Sequence, residues 1–282
     1  MKLNKGDTIG IIALSGECDK AKIEKAKENI ESLGYKVVLS RNIFKSNRYL
    51  AGTDDEKLKE LSSFYNNKDI KLILNARGGY GAIRLINRID YNLIKENPKL
   101  FCGFSDITAI LLMLYKKTNQ IVYHGPMAST DFVNDFSCDV TLKNFFEVIE
   151  DKEMEYVAQK VYQKGQAEGV LWGGNLSTVV SLCGQDFIPD KDFIFFAEDL
   201  NEPVYKIDKM FQQLFNIEAF KCKCRAVILG DFLDVDNEAW LEDYFNTFNI
   251  PTAAGFKITH AKEKITLPIG KKAVLNNGIL LV

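Results

Sequence analysis

Histidine is scarce in this chain, with only His124 and His260 among 282 residues. A metal site built from several histidines is therefore excluded, and we expect neither a metal nor an organic cofactor. The same scarcity narrows any search for a histidine general base. Such a base would have to be His124 or His260.

The chain also lacks a Cys-x-x-Cys pair, although it contains six cysteines. Their spacing matches neither a zinc site nor a disulfide framework. Free thiols in a reducing compartment are therefore expected. The cysteines are Cys18, Cys102, Cys138, Cys183, Cys222 and Cys224.

The chain has no large excess of either charge: it contains 36 basic and 38 acidic residues, and its net charge is −2. A balance of this kind argues against a surface built for nucleic acid or anionic lipid. The apolar run at residues 9–14 is too short to span a bilayer and begins too early for a signal peptide. We therefore expect a cytoplasmic protein with no nucleic-acid or membrane partner.

The first half of the chain alternates strand-like and helix-like patterns. Buried-strand patterns separated by amphipathic segments indicate right-handed βαβ units and a parallel sheet. In such a sheet, functional groups gather at the carboxyl ends of the strands. The predicted strands cover residues 8–14, 36–40, 71–75 and 100–104.

The pattern changes after about residue 150, where a charged stretch leads into polar, irregular sequence. We therefore predict an N-terminal domain at 1–150, a linker at 151–167 and a smaller α/β or β-rich domain at 168–282. Predicted strands of the second domain are 169–172, 193–197, 226–230 and 278–282, and its helices are 175–183, 203–215 and 238–248.

The segment Gly103-Phe-Ser-Asp106 joins a hydrophobic run to a stretch with helical spacing. This pattern predicts a strand, a sharp turn and a helix, with Ser105 at the corner. Hydrolases place a nucleophile at such a corner because it lifts the Oγ clear of the sheet. Serine and aspartate are also favoured helix N-caps, so a purely structural role is the alternative.

A second glycine-rich corner, Arg77-Gly-Gly-Tyr-Gly81, follows the third predicted strand. Glycine permits close approach of the backbone, so the N–H groups at Gly78 and Gly79 could form an oxyanion hole. A phosphate cradle and a tight structural turn are the alternatives. The spacing fits neither common nucleotide-binding fingerprint.

Two carboxylates, Glu198 and Asp199, end an apolar strand pattern, and a carboxylate there could orient a histidine. Glu198 is the nearer to the buried strand and is the preferred candidate. Asp199 and Glu202 are more typical of turn and cap positions before a helix that begins near residue 203. Asn175 follows a strand and two glycines, as an N-cap would, and a substrate-facing role is its alternative.

Taken together and in order, these segments resemble the LD-carboxypeptidase family of serine peptidases. No single segment decides the assignment, but the series runs from residue 6 to residue 270. The matching segments are 6–10, 77–81, 103–106, 124–127, 173–177, 198–203 and 267–270, the last lying after His260.

The resemblance implies a flavodoxin-like N-terminal domain that carries the nucleophile Ser105. It implies a second domain that supplies the base His260 and its orienting carboxylate Glu198, so that the active site lies between the domains. The backbone N–H groups of Asp106 and of the Gly78-Gly79 turn would form the oxyanion hole. Arg77, His124 and Asn175 would lie on the substrate side or behind the reacting groups.

The activity implied by the resemblance is removal of the terminal D-alanine from murein tetrapeptides during recycling of cell-wall peptides. The protein would act on a small peptide and would form a homodimer. A second branch of the family implies an alternative, hydrolysis of a peptidyl-nucleotide amide as in microcin C immunity. A non-catalytic ligand-binding module, with the glycine corner as a phosphate site, is a third possibility.

Overall fold

The computed structural model describes residues 2–133 and 140–282. Over these ranges the strands form two sheets, flanked by helices, in a mixed α/β fold. Five cysteines of the described residues are free thiols, as predicted, and Cys138 lies outside the described residues. In the described part of the chain, every helix is too short or too polar to cross a lipid bilayer.

The first sheet has the strand order β12-β5-β4-β3-β1-β2, in which β12 is Leu267–Ile269. Its strands β1 to β5 pair in parallel in the order 2-1-3-4-5, which is the flavodoxin-like arrangement expected for the N-terminal part. These strands are β1 (Thr8–Ile12), β2 (Lys36–Leu39), β3 (Ile70–Asn75), β4 (Leu100–Gly103) and β5 (Val122–His124).

Local sequence explains why helices alternate with these strands. The second helix begins with a capping box, in which Thr53 and Glu56 satisfy each other's backbone N–H groups. The first helix is capped by the Asp19 carboxylate, which accepts from the Lys22 N–H. The helices are α1 (Lys20–Ser32), α2 (Asp54–Asn66), α3 (Tyr91–Glu96), α4 (Thr108–Thr118), α5 (Ala128–Asp131) and α6 (Val140–Ile149).

The second sheet has the order β6-β14-β13-β8-β9-β10-β11-β7. Its centre is parallel and its flanks are antiparallel. The strands are β6 (Glu155–Val157), β7 (Lys160–Gln163), β8 (Gln166–Asn175), β9 (Phe193–Leu200), β10 (Cys224–Leu233), β11 (Thr252–Ala254), β13 (Lys272–Asn276) and β14 (Ile279–Leu281). The helices are α7 (Leu176–Ser181), α8 (Val204–Phe215), α9 (Glu218–Lys223) and α10 (Glu238–Phe245).

The irregular stretch predicted at 151–167 instead contains β6, β7 and the start of β8. Both short strands have mostly exposed or half-exposed side chains, so they lack the apolar alternation by which a strand is recognised in sequence. Their backbone pairing with β11 and β14 stabilises them instead. The domain limits at 150 and 168 stay a prediction.

The two halves of the chain are interleaved at the first sheet. Strand β12 (Leu267–Ile269) comes late in the sequence, yet it pairs antiparallel with β5, so that Leu267 lies opposite His124. Helix α4 also contacts both β8 and α7. This interleaving carries the segment around His260 to the carboxyl ends of the first sheet's strands.

Candidate active site

Ser105 occupies the sharp corner between β4 and α4. Its φ angle is +59°, in the left-handed region that a non-glycine residue adopts only at an energetic cost. A short 3-10 helix, Ser105–Ile107, continues directly into α4. Strained backbone of this kind persists where the surrounding structure holds it in place, and here it turns the Ser105 side chain toward a cleft.

The cleft has a volume of about 320 Å³ and contains both Ser105 and His260. The glycine corner and residues of α1, of α5 and of the segment before β12 also line it. Its lining residues are Asp19, Lys22, Arg77, Gly78, Gly79, Phe104, Ser105, Met127, Ser129, Thr130, His260 and Lys264.

His260 is held by a hydrogen bond between its Nδ1 and Glu198 Oε2, at 2.7 Å. A carboxylate can only accept here, so the Nδ1 carries the proton. The Nε2 is then left with a lone pair, and it has no partner among the described residues. The edge of the imidazole also packs on the Phe104 ring, with the centroids 4.9 Å apart.

Glu198 lies in β9 with 0% of its surface exposed. Burial raises the pKa of this carboxyl, while the hydrogen bond and charge of His260 act in the opposite direction. The neighbouring Asp199 has a separate structural role, because its carboxylate accepts from the Ser177 N–H and from the Asn175 amide. Asp199 and Glu202 do not cap helix α8, contrary to the sequence expectation, because Asp236 accepts the Val204 N–H.

The glycine corner lies directly against Ser105. A Cβ atom placed on Gly78 would be 2.9 Å from Ser105 Cβ and 3.0 Å from Ser105 Oγ. Only glycine leaves this space open. The Gly78 carbonyl is held from the other side, because it accepts from the Gly16 N–H at 3.2 Å and from Arg77 Nε at 3.1 Å.

Asp106 does not face the cleft with its carboxylate. Its Oδ2 accepts from Ser15 Oγ at 2.5 Å and from the Ala82 N–H at 2.9 Å, so it ties the end of β1 to the turn after the glycine corner. Burial raises the pKa of this carboxyl. The backbone N–H of Asp106, at the start of the 3-10 helix, has no acceptor among the described residues.

His124, the other histidine, is buried at the end of β5 between aromatic rings. Its ring centroid lies 6.0 Å from that of Phe104 and 5.3 Å from that of Phe196. Burial, with the nearby charges of His260 and Lys264, lowers the pKa of His124 to about 3. The side chain is therefore neutral, and it is absent from the residues that line the cleft.

Asn175 is the N-cap of α7, as its sequence context indicated. Its Oδ1 accepts from the Thr178 N–H at 3.1 Å, and its Nδ2 donates to Asp199 at 2.9 Å. Its own backbone N–H donates to Thr108 Oγ1, which lies in α4. Asn175 is the register partner of Glu198 across β8 and β9, so it connects the Glu198 strand to the helix behind Ser105.

Sequence reasoning missed a buried ion pair at the floor of the cleft. Lys264 Nζ lies 2.5 Å from Asp131 Oδ1, both side chains are 5% exposed, and the ammonium lies 4.7 Å from the Phe104 ring centroid. The pair joins the segment after His260 to α5 of the first half. No local pattern marks it, because its members are 133 positions apart.

Removing one member of this pair should destabilise the protein. Lys264→Met is expected to lower the free energy of unfolding by about 3 kcal/mol, because it leaves a buried charge uncompensated. Lys271→Met is the control, since its Asp151 partner is 2.6 Å away but 69% exposed, and the loss should stay under about 1 kcal/mol. Urea unfolding measures both, and equal small losses would contradict a buried charge pair.

Two family profiles together match most of the chain. The profile of the LD-carboxypeptidase N-terminal domain matches residues 9–125, and that of the LD-carboxypeptidase C-terminal domain matches residues 168–275. The two matches follow each other without overlap. Each includes part of the cleft, with Ser105 in the first and both Glu198 and His260 in the second.

Individual relatives agree with these matches. A probable murein peptide carboxypeptidase of Bacillus subtilis is 35% identical over 98% of this chain and 91% of its own length. The crystal structure of a muramoyltetrapeptide carboxypeptidase from Oxalobacter formigenes superposes with a TM-score of 0.88 and 29% identity, covering 97% of each chain. A variant of the microcin C7 self-immunity protein MccF, in complex with adenosine monophosphate, superposes with a TM-score of 0.90 and 26% identity, covering 100% of this chain and 97% of its own.

These matches span both halves of the molecule and include the corner, the glycine turn and the histidine segment. The fold agrees with them in strand order and in the two-sheet architecture. The chain belongs to the LD-carboxypeptidase family and is a serine-type carboxypeptidase.

Proposed function

We propose that this protein removes the terminal D-alanine from a murein tetrapeptide, by cleaving the bond between an L-centre and that D-residue. The observation that carries the proposal is the shared cleft of Ser105 and His260, with His260 bound to the fully buried Glu198. The names of the Bacillus and Oxalobacter relatives support the substrate class.

In the proposed reaction, Ser105 Oγ attacks the carbonyl carbon of the scissile peptide bond, and its proton passes to His260 Nε2. When the tetrahedral intermediate collapses, the C–N bond breaks and His260 gives that proton to the departing nitrogen of D-alanine. Water then hydrolyses the ester on Ser105 by the same route. Glu198 keeps the Nδ1 protonated and stabilises the imidazolium between the steps.

The oxyanion formed in the first step needs N–H donors beside Ser105, and the Asp106 N–H is one candidate. The second candidate is the Gly79 N–H rather than that of Gly78. The Gly78 carbonyl points to Gly16 and Arg77, and a trans peptide directs its N–H the opposite way. Among the described residues, the Gly79 N–H has no acceptor of its own.

Filling the space at Gly78 is expected to lower activity strongly without unfolding the protein. In Gly78→Ala the new Cβ would crowd the Ser105 Oγ and the oxyanion position, and kcat/KM should fall at least about 10²-fold, as when an oxyanion donor is lost. Gly184→Ala is the control for backbone strain without crowding. Its φ of +97° penalises alanine, but its surroundings are open and it lies outside the cleft, so stability should fall while kcat/KM is kept. Retention of full activity by Gly78→Ala would contradict the proposed position of the oxyanion.

The proposed activity is tested by D-alanine release from an L,D-tetrapeptide, with the same peptide ending in L-alanine as the stereochemical control. Release from the D-peptide alone is the expected result. An aminoacyl sulfamoyl nucleotide should be assayed beside it, because the structural likeness to MccF favours peptidyl-nucleotide hydrolysis as the second candidate. Faster cleavage of the nucleotide would assign the protein to that role instead.

Three expectations from the sequence stay predictions: a role in cell-wall recycling, a cytoplasmic location and a homodimer. Sedimentation of the purified chain tests the dimer, and muropeptide profiles of a deletion strain test the recycling role.

A further inference from the structure

The cleft that contains Ser105 is lined by more basic than acidic side chains. Three cationic side chains line it, Lys22, Arg77 and Lys264, whereas Asp19 is the one carboxylate among the lining residues. Lys264 is neutralised by Asp131 beneath the cleft floor. The positive charge that faces the cleft therefore comes from Arg77 and Lys22.

Arg77 is held in a fixed orientation by the main chain. Its Nε donates to the Gly78 carbonyl at 3.1 Å, and one terminal nitrogen donates to the Glu17 carbonyl at 3.1 Å. Both acceptors are neutral, and Arg77 forms no ion pair within the described ranges. Three of the five guanidinium N–H donors are left without an assigned partner.

The Cys18 thiol, on which the Arg77 charge acts, does not neutralise the guanidinium. Burial raises the pKa of Cys18 to about 11, although the Arg77 charge opposes that rise. Cys18 is therefore uncharged at neutral pH. A rigid, unpaired guanidinium beside a catalytic serine is a ready partner for an anion on the substrate.

Arg77 and Ser105 line the same cleft, and both lie against Gly78. Gly78 separates the two, with its Cα side against the Ser105 Oγ and its carbonyl on Arg77 Nε. The carboxylate of one amino acid beyond the scissile bond lies about one residue length, roughly 3.5 Å, from the reacting carbonyl. That short span keeps the carboxylate inside the cleft that Arg77 also lines, where the guanidinium has N–H donors without an assigned partner.

We propose that Arg77 binds the free α-carboxylate of the terminal residue and so restricts the enzyme to removing a single residue from the chain end. This inference rests on the proposed carboxypeptidase reaction at Ser105. Lys22 does not take this role. Both side chains are exposed, but the Lys22 ammonium forms no ion pair or hydrogen bond with a described residue that would fix its position, whereas two backbone carbonyls hold Arg77.

The test compares two substrates, the L,D-tetrapeptide with a free terminal carboxylate and the same peptide ending in D-alaninamide. The readout is the ratio of kcat/KM for the acid to that for the amide. Arg77→Gln should lower this ratio at least about tenfold, the effect of losing a hydrogen bond to a charged group. The ratio for Arg77→Lys should lie between those of the unmodified protein and of Arg77→Gln, because lysine keeps the charge but lacks the planar guanidinium.

Lys22→Met is the matched control, because it removes the other unpaired cation of the cleft and should leave the ratio within about threefold. A structural disturbance of the glycine corner would lower both rates and leave the ratio unchanged. An unchanged ratio in Arg77→Gln, or a ratio lost in Lys22→Met instead, would overturn the assignment.

Binding to Ser105→Ala protein, measured by calorimetry, separates the inference from the reaction on which it rests. The acid should bind more tightly than the amide, and Arg77→Gln in this background should remove the difference. Acid-selective binding without any D-alanine release by the unmodified protein would contradict the proposed reaction alone. Equal binding of acid and amide, or binding of neither, would contradict the role of Arg77.

Discussion

Ser105→Ala is expected to reduce kcat for D-alanine release by at least about 10⁴-fold, since loss of the nucleophile leaves only binding and the oxyanion hole to act. The fold should persist, because the Ser105 side chain forms no hydrogen bond with any described residue. Alanine also tolerates the left-handed corner no worse than serine. Circular dichroism and a D-alanine assay on the same preparation measure both properties.

Ser129→Ala is the matched control for this substitution. Ser129 lines the same cleft and is also a serine, but it lies near the start of α5 rather than at the corner between β4 and α4. Its activity should stay within about threefold of the unmodified protein, as for most substitutions that leave the reacting groups in place. Loss of activity in Ser129→Ala, with activity retained in Ser105→Ala, would show that Ser129 and not Ser105 is the nucleophile.

Glu198→Gln should have the second largest effect, a loss of about 10⁴-fold in kcat, as in the serine protease triad when its carboxylate becomes an amide. The amide can present an N–H to His260 Nδ1, which favours the tautomer with the proton on Nε2. In that tautomer Nε2 can no longer accept the Ser105 proton. The change is one of proton position, since glutamine has nearly the same volume as glutamate.

Stability should respond in the opposite direction to activity. Burial raises the pKa of Glu198, so the charged form is disfavoured in the folded protein and an uncharged amide removes that cost. The free energy of unfolding of Glu198→Gln should therefore be unchanged or higher. Asp199→Asn is the contrast, because it weakens bonds to Ser177, Leu200 and Asn175 and should lower stability by about 1–3 kcal/mol.

A large part of the fold could be predicted from the sequence. The buried strands of the first half are continuous apolar runs, so a parallel sheet and the corner at Ser105 followed from pattern and from glycine positions. The flavodoxin-like arrangement followed from the family resemblance. The central strands β9 and β10 were recognised for the same reason, although both extend further than the patterns suggested. Local signals of this kind are strong when the strand is buried on both faces.

The parts that escaped prediction depend on contacts between distant segments. Strands β6 and β7 have exposed side chains and exist because of their neighbours, and β12 joins a sheet formed by residues more than a hundred positions earlier. The Lys264–Asp131 pair is a further example. Spacing alone also left His124 and His260 as equal candidates, and only the three-dimensional arrangement separates a buried ring from one in the cleft.

The central claim is that Ser105, activated by His260 and Glu198, is the nucleophile, and active-site labelling tests it most directly. The protein is treated with a fluorophosphonate, digested and examined by mass spectrometry, with and without tetrapeptide present. The account predicts one adduct, on the peptide that contains Ser105, its suppression by substrate, its absence in His260→Ala and loss of D-alanine release in step with labelling. An adduct on another residue, or full activity of completely labelled protein, would contradict it.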